Sequence, residues 1–354
     1  MKLKFLLLLI PLFFLNCKPQ PISLYVGTYT NGDSEGIYQL QFDTKTGILS
    51  DLKLVAATEN PSFITFSPDK SFIYAVGETE NGSISSFKLE DDSTLKLINT
   101  QKTFGGAPCH VSVNSEATKA VVSNYLGGNI ALYNINNDGS LSESAQIFDH
   151  NDSIQKSHAH SAQFYKNDLF VADLGRNSVY LYGKDQDENY VLKANSIIEL
   201  TENAGPRHFT LTEDGNFIYI INEYASTITA AKKANDSFDL IDHYSTLESS
   251  YSGDNSCADI HLSKDEKFLY GSNRGENSIA VFKRNITDGT LEKIQNISVH
   301  GDWPRNFTLD PTGKFMLVAN KKSNNISVFN VDTNTGKLSF LNDISIPSPV
   351  CLLF

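Results

Sequence analysis

Short stretches in which apolar and polar residues alternate recur along most of the chain. A representative stretch is GPRHFTLTEDGNFIYIINE, which begins at Gly205 and carries an Asp-Gly pair between two alternating segments. Alternation with a period of two residues is typical of β-strands, and an Asp-Gly pair favours a tight turn between two strands. The pattern predicts a β-hairpin, with an Arg-His pair at one end and an Asn-Glu pair at the other.

The same hairpin pattern returns at nearly constant spacing. Its six copies begin at Pro61, Pro108, His158, Pro206, Cys257 and Pro304. Successive copies start 47, 50, 48, 51 and 47 residues apart, and each runs on into a third alternating segment. Four of the six then add a short acidic turn and a fourth strand. Four short strands in roughly 45–50 residues are the signature of one blade of a β-propeller.

The two ends of the repeat region complement each other. The segment from Ser23 supplies the last three strands of a blade, and PSPVCLLF at the C-terminal end supplies the first. Joining them closes the ring and removes the exposed edges of an open sheet. The sequence therefore predicts an all-β fold, a seven-bladed β-propeller in which N- and C-terminal strands share one blade. Residues 23–354 are expected to form this single domain; an eight-bladed ring or an open solenoid is the alternative.

Residues 1–17 have a different composition. Two lysines precede an apolar run from Phe5 to Leu15, and Cys17 follows. This is typical of a signal peptide, because the apolar run is too short to span a bilayer. The ending at Cys17 resembles a bacterial lipoprotein signal in which that cysteine is lipidated, although Asn16 stands where such signals usually carry a small residue. We expect an exported protein of a bacterial cell envelope, in contact with a membrane only through a lipid anchor; plain secretion or a fold-initiating strand are the alternatives.

Charge and motif content exclude several classes of protein. The net charge of −12 argues against nucleic-acid binding through a basic surface. Metal, nucleotide and dinucleotide motifs such as HExxH, the Walker pattern and GxGxxG are absent from the sequence. Cys109, Cys257 and Cys351 have no metal-site spacing, and we interpret them as buried, unpaired thiols. No cofactor or metal is predicted, and we expect a monomer.

One position of the repeat marks the start of the innermost strand of each blade. Because these strands line the propeller axis, their first residues form a ring around one end of the channel. This column contains Phe63, His110, His160, His208, Asp259, Asn306 and Cys351, and the residues before it include Arg207 and Arg305. A second column follows at the end of the next strand, and its neighbours include Glu223, Arg274 and Lys321. Antiparallel pairing places the two columns side by side, so the charged residues are predicted to meet at one channel mouth.

Some members of these columns have a structural interpretation. Asn124, Asn222, Asn273 and Asn320 recur in four blades, which favours side chains that satisfy backbone groups at a strand end. His110 could likewise bond to a neighbouring blade. Arg207, Glu223 and Arg274 instead interrupt the repeat in adjacent blades, which favours a functional role. Such a cluster suits an anion or an oxygen-rich ligand.

The motifs around these positions resemble those of the lactonase family of seven-bladed propellers. They are HSAQ at His160, GPRH at Gly205, NE at Asn222, ADIH at Ala258, SNR at Ser272 and PRNF at Pro304. The family includes propeller-type 6-phosphogluconolactonases and the carboxy-muconate lactonising enzyme, and the resemblance covers the chain from residue 23 onwards. It implies an active site of one histidine, two arginines and one glutamate, which fall on His160, Arg207, Glu223 and Arg274.

The implied chemistry is the opening of a sugar-acid lactone. It needs an activated water and stabilisation of the oxyanion that forms on the carbonyl. Either His160 or Glu223 could take the proton, and a carboxylate held between two guanidinium groups is the weaker base, which favours His160. The expected substrate-binding residues are His110, His208, Asp259, Arg305, Asn306 and Lys321.

Export conflicts with the substrate that the resemblance implies, because a sugar-phosphate lactone is a cytoplasmic metabolite. A phosphate or a carboxylate could occupy the cationic residues equally well, so the substrate stays open. Lactonisation of a muconate-type acid would use the same cluster in reverse. A non-catalytic exported propeller that binds a glycan or a protein partner is the alternative from another functional class, because a propeller scaffold alone does not imply catalysis.

Overall fold

A computed structural model describes residues 21–193, 198–235 and 237–354. This part of the chain contains β-strands and no helix, and therefore no helix that could cross a membrane. The predicted signal segment, residues 1–17, and Cys17 lie outside the described residues.

The strands form seven sheets, which we number as blades in chain order. Blades 1 to 3 comprise β1 (Ile22–Thr28), β2 (Gly36–Phe42), β3 (Leu49–Ala57), β4 (Ile64–Phe66), β5 (Phe72–Gly77), β6 (Ser83–Leu89), β7 (Leu95–Lys102), β8 (Pro108–Val113), β9 (Lys119–Asn124), β10 (Asn129–Ile135) and β11 (Leu141–Asp149). Blades 4 and 5 comprise β12 (Ala159–Tyr165), β13 (Asp168–Asp173), β14 (Ser178–Lys184), β15 (Tyr190–Leu192), β16 (Ile198–Glu199), β17 (Pro206–Leu211), β18 (Phe217–Asn222), β19 (Thr227–Ala234) and β20 (Ser237–Ser245). Blades 6 and 7, with the closing strand, comprise β21 (Ser256–Leu262), β22 (Phe268–Arg274), β23 (Ser278–Arg284), β24 (Leu291–Ser298), β25 (Pro304–Leu309), β26 (Phe315–Asn320), β27 (Asn325–Val331), β28 (Leu338–Ser345) and β29 (Pro349–Leu353).

Blade 1 is completed by the C-terminal strand, as the sequence predicts. Its strand order is β29-β1-β2-β3, and β29 pairs antiparallel with β1, Val26 lying opposite Leu352. The innermost strands β4, β8, β12, β17, β21 and β25 each contact the next one, and β29 contacts both β25 and β4. The ring is therefore closed, with seven blades. Blade 4 differs slightly, because the short β16 also pairs with β14.

The hydrophobic core lies between the blades. It consists of seven clusters, each shared by two neighbouring blades. Strand β5 shows how the sequence produces this: Ile73 and Ala75 pack towards blade 1, whereas Tyr74 and Val76 pack towards blade 3. Both faces of an inner strand are thus buried. Alternate side chains pack against the blades on either side, and neither set faces solvent.

A recurring contact ties the outer turn of one blade to the blade before it. The hydroxyl of Tyr74 in blade 2 donates to the carbonyl of Gly139 in blade 3, at 3.1 Å. Tyr219 and Gly289 repeat the contact at 2.9 Å. Gly139 has a φ of 81°, and an added Cβ there would clash with the ring of Phe72. Only glycine combines this left-handed backbone with such close packing.

Candidate functional site at the channel mouth

The start of an innermost strand lies beside the end of its neighbour, which brings the two columns together. In blade 5, Pro206 is opposite Asn222, and the register shifts between Pro206 and His208. The shift leaves Arg207 out of the strand pairing, as at a β-bulge, which commonly redirects a side chain near a functional site. The same shift occurs in blade 7 before Asn306.

Glu223 lies between two arginines from neighbouring blades. Its Oε2 is 2.9 Å from Nε of Arg207 and 2.8 Å from Nη2 of Arg274. The Nε–H of Arg207 is not aligned with that oxygen, so this contact is an ion pair without a hydrogen bond. Three of the four residues that the family resemblance implies are therefore in direct contact.

Backbone carbonyls of blade 6 hold both guanidinium groups in place. Nη1 of Arg207 donates to the carbonyl of Ala258 at 2.5 Å, and Nη2 of Arg274 donates to that of Cys257 at 2.8 Å. The guanidinium of Arg274 also lies 5.2 Å from the centre of the Trp303 ring. Burial, with the charges of Arg274 and Arg305, lowers the pKa of Arg207 to about 10. Both arginines stay protonated at neutral pH and are rigidly oriented before any ligand arrives.

A second ionic cluster occupies the same mouth. Nη2 of Arg305 is 3.4 Å from Oε2 of Glu78, which also accepts a hydrogen bond from the hydroxyl of Tyr29 at 2.8 Å. Nζ of Lys321 lies 4.5 Å from the centre of the Tyr29 ring. We call the two clusters together the channel mouth. It consists of Tyr29, Glu78, Arg207, Glu223, Arg274, Arg305 and Lys321. It carries four cationic side chains against two carboxylates, so the mouth is locally positive in a chain of net charge −12.

Three buried histidines pack together beside the arginines of the mouth, and we call them the histidine layer. His160 and His208 pack edge to face with ring centres 5.3 Å apart, and His110 and His208 do so at 5.6 Å. Phe63 stacks against His110 with ring centres 4.4 Å apart. Nδ1 of His160 and Nε2 of His208 are buried without a hydrogen-bond partner among the described residues. Burial and the nearby arginines hold the pKa of His160 well below its usual range, so this ring is neutral.

Asp259 connects the histidine layer to His261 and Asn306. One of its oxygens lies 2.7 Å from Nδ1 of His208, and the other lies 3.0 Å from Nε2 of His261. The second oxygen also accepts hydrogen bonds from Nδ2 of Asn306 and the backbone N–H of Phe307. Burial opposes the charge on this carboxylate, but His261 and His208 outweigh it and hold the pKa of Asp259 well below its usual range.

A family model described as "Lactonase, 7-bladed beta-propeller" matches residues 23–354. The chain belongs to this family. It is 31% identical to a 6-phosphogluconolactonase of Bacillus subtilis over 342 residues, which cover 93% of this chain and 97% of that protein. It is 35% identical to a 6-phosphogluconolactonase of Formosa agariphila, over 82% of this chain and 87% of that protein. Among solved structures, the periplasmic gluconolactonase of Pseudomonas aeruginosa superposes with a TM-score of 0.88 at 29% identity, covering 94% of this chain and 98% of that chain.

Within this lactonase fold, the sequence-predicted residues separate into two groups. Arg207, Glu223, Arg274, Arg305 and Lys321 lie in the channel mouth, with the histidine layer beside the arginines. Asp259 and Asn306 bond mainly to each other and to their neighbours; Oδ1 of Asn306 accepts from the N–H of Leu352 at 2.7 Å. No group of three potential metal ligands occurs in the part of the chain that the structure describes.

The structure gives the contacts of the residues that have a structural interpretation. The four column asparagines are fully buried. Nδ2 of Asn222 donates to the hydroxyls of Thr227 and Thr229 in its own blade. Nδ2 of Asn124 and Nδ2 of Asn273 donate to the carbonyls of Thr103 and Thr246, which lie in the connections from the preceding blades. His110 accepts a weak 3.5 Å contact from the N–H of Ala162 in the neighbouring blade. Cys109, Cys257 and Cys351 are buried and unpaired.

The sequence reasoning passed over three residues of the site. Tyr29, Glu78 and Glu223 occupy equivalent positions of the repeat, directly after the second column. The sequence analysis does not name Tyr29 or Glu78 as candidates. Trp303, which packs on Arg274, lies just before the column in blade 7. The occurrence of a second glutamate at the position of Glu223 was the signal that could have identified Glu78.

Proposed function

We propose that the protein hydrolyses a sugar-acid lactone at its channel mouth. The observation that carries the proposal is the placement of Glu223 between Arg207 and Arg274, which come from two different blades. Relatives with similar sequence over most of their length are named 6-phosphogluconolactonase, and a structural relative is named a gluconolactonase. These names support lactone hydrolysis as the reaction class.

In this proposal the arginines stabilise the charge that develops on the lactone carbonyl. Attack by water converts the carbonyl oxygen into an oxyanion, and fixed donors at that oxygen lower the barrier by roughly 3–4 kcal/mol each. Arg207 and Arg274 are already held by backbone carbonyls of blade 6, so little reorganisation is needed. Glu223 acts as the anchor that keeps both guanidinium groups side by side.

The proton acceptor is a neutral histidine of the histidine layer. Glu223 is less suited, because its Oε2 already faces two guanidinium groups. Burial and the neighbouring charges keep His160 and His208 unprotonated near neutral pH, so each has a nitrogen lone pair available. Nδ1 of His160 and Nε2 of His208 are both buried and have no protein partner among the described residues.

Export through residues 1–17, with lipidation of Cys17, is part of the same proposal. A structural relative is named a periplasmic gluconolactonase, which makes an envelope location compatible with lactone chemistry. Mass spectrometry of protein recovered from membranes would test this. A mature chain that begins at a lipidated Cys17 is expected, and an intact Met1 would contradict export.

The direct test is a pH-stat assay of the purified protein against gluconolactone, 6-phosphogluconolactone and a muconolactone. Arg207→Ala and Glu223→Ala are each expected to lower kcat by about 10²–10³-fold. Arg176→Ala is a matched control, because Arg176 pairs with Asp152 outside the mouth. Wild-type rates equal to the spontaneous background on every lactone would contradict the proposal.

A further inference from the structure

His208 differs from the other histidines of the layer because a carboxylate fixes its orientation. Oδ1 of Asp259 lies 2.7 Å from Nδ1 of His208, and both side chains are buried. An ionised carboxylate can only accept, so Nδ1 of His208 must carry the hydrogen. The remaining nitrogen, Nε2, is therefore the one with the lone pair, and it has no partner among the described residues.

The rest of the surroundings of Asp259 keep that arrangement rigid. Nε2 of His261 and Nδ2 of Asn306 approach Oδ2, and the N–H of Ile260 donates to Oδ1. Asp259 therefore has partners on both oxygens and cannot rotate away from His208. A carboxylate fixed in this way stabilises an imidazolium on the ring it contacts.

His160 lacks such a partner. The charged groups that act on it most strongly are Arg207, Arg305 and Arg274, and all three oppose a positive charge on its ring. A proton accepted by His160 would thus be placed beside guanidinium groups, with no carboxylate hydrogen-bonded to its ring. A proton accepted by His208 would be placed opposite Asp259.

We propose that His208 is the general base of the lactonase reaction and that Asp259 is its positioning residue. The inference rests on the proposed function. Nε2 of His208 removes a proton from water as the water oxygen bonds to the lactone carbonyl carbon, and the carbonyl electron pair moves onto oxygen beside Arg207 and Arg274. When the tetrahedral intermediate collapses, the bond from carbonyl carbon to ring oxygen breaks. The proton on Nε2 passes to that ring oxygen, which becomes a hydroxyl, and the new carboxylic acid releases its proton to solvent.

The groups that face His208 come from every element packed around it. They are Asp259 and His261 from β21, Arg207 from β17, and the neutral rings of His110 and His160 from β8 and β12. Burial and Arg207 lower the pKa of His208 to about 4, against the opposing effect of Asp259. The base is therefore ready in its neutral form at any pH above about 5.

The test compares pH profiles of wild type and two variants, with gluconolactone as the probe and the spontaneous rate subtracted. In wild type, kcat/KM is expected to be level from about pH 5.5 to 7 and to fall tenfold per unit well below pH 4. We call this fall in kcat/KM at low pH the acid limb. His208→Gln can still donate to Asp259, and it is expected to lower kcat by about 10²–10⁴-fold while KM changes less than threefold. The acid limb should be absent from this variant. Asp259→Asn is expected to lower kcat similarly and to move the limb to lower pH, because the imidazolium loses its anionic partner.

A buried aspartate–histidine pair outside the channel provides a matched control. Nδ1 of His150 lies 3.0 Å from Oδ2 of Asp173, and its Nε2 contacts the hydroxyl of Tyr182. His150→Gln is expected to lower the melting temperature and to leave kcat within twofold.

The possible outcomes separate the inference from the proposed function. Folded His208→Gln with wild-type kcat and an unchanged acid limb would overturn the role of His208 while lactone hydrolysis stands. If His208→Gln does not fold, unchanged kcat and an unchanged limb in Asp259→Asn would overturn it, as would a wild-type profile that stays flat to pH 3. Absence of wild-type turnover on every lactone of the panel would overturn the proposed function, and the inference with it.

Discussion

Arg305 and Glu78 meet across the channel mouth, although they are 227 residues apart in the chain and blade 1 lies between their blades. Nη2 of Arg305 is 3.4 Å from Oε2 of Glu78, and both side chains are about one-sixth exposed. The pair partly neutralises an arginine that could otherwise bind an anionic substrate group. Glu78 therefore bears on which lactone the mouth accepts.

Glu78→Gln is expected to favour phosphorylated lactones. Removing the carboxylate removes a charge that repels phosphate and releases Arg305 to bind it, whereas a neutral sugar lactone gains nothing. The ratio of kcat/KM for 6-phosphogluconolactone to that for gluconolactone should rise roughly tenfold. Steady-state kinetics on both substrates measure it. Glu80→Gln, an exposed neighbour, should leave the ratio unchanged, and an equal ratio in Glu78→Gln would refute the role of Glu78.

Arg274→Lys is expected to be a severe substitution despite keeping the charge. Arg274 bonds to Glu223 and to the carbonyls of Ser256 and Cys257 through two different nitrogens, which one ammonium group cannot reproduce. We expect kcat to fall about 10²-fold with a melting temperature near that of wild type. A kcat within threefold of wild type would show that catalysis does not require the separate N–H donors of the Arg274 guanidinium.

The stability of the fold should decrease as the pH falls below about 6.5. Burial and nearby positive charges lower the pKa values of His110, His160 and His208 in the folded state, that of His208 to about 4. Between pH 6.5 and 4 the unfolded chain therefore binds more protons than the folded chain, and the free energy of unfolding falls with pH. Each such histidine contributes about 1.4 kcal/mol per pH unit within this window.

Urea unfolding at pH values from 4.5 to 7.5 would measure this dependence. His261 does not cancel it, because its pKa is raised and its contribution is lost only as the pH rises above 6.5. A free energy of unfolding that stays constant or increases between pH 6.5 and 5 would contradict the buried, neutral state of the histidine layer.

Gly139→Ala is expected to lower stability by roughly 2–4 kcal/mol without altering the site. The substitution combines a left-handed backbone with a clash against Phe72, so it loosens the contact between blades 2 and 3. Gly313 has a similar φ of 72°, but an added Cβ there would meet only Cβ of Lys264, at an ordinary contact distance of 3.7 Å. Gly313→Ala should therefore cost only about 1 kcal/mol, and equal losses of melting temperature in both variants would refute the packing explanation.

The repeat pattern predicted the architecture because blade geometry depends on local alternation and turn residues. Six similar hairpins and one blade assembled from both ends leave few other ways to bury both faces of strands such as β5. The columns also predicted that Arg207, Glu223 and Arg274 would meet, since antiparallel pairing fixes which strand ends are adjacent.

Contacts across blades could not be derived in the same way. The pairing of His208 with Asp259 depends on a register shift in β17 and on side-chain rotamers, neither of which the repeat spacing determines. The Arg305–Glu78 pair depends on how far two long side chains reach past the intervening blade. In both cases the sequence identified the ring of positions but not the partners within it.

The strand exchange in blade 1 has a consequence for how the chain is made. The strands β1, β2 and β3 are synthesised first, but their sheet has no inner strand until residues 349–353 emerge. Within β29, Cys351 packs towards blade 2 and Leu352 towards blade 7, so neither neighbour of blade 1 is fully covered before that moment. Domains that fold during synthesis usually do so from the N-terminus. Blade 1 of this chain cannot be completed until its inner strand, β29, has been synthesised. The closed ring is therefore expected to form only after β29 has left the ribosome.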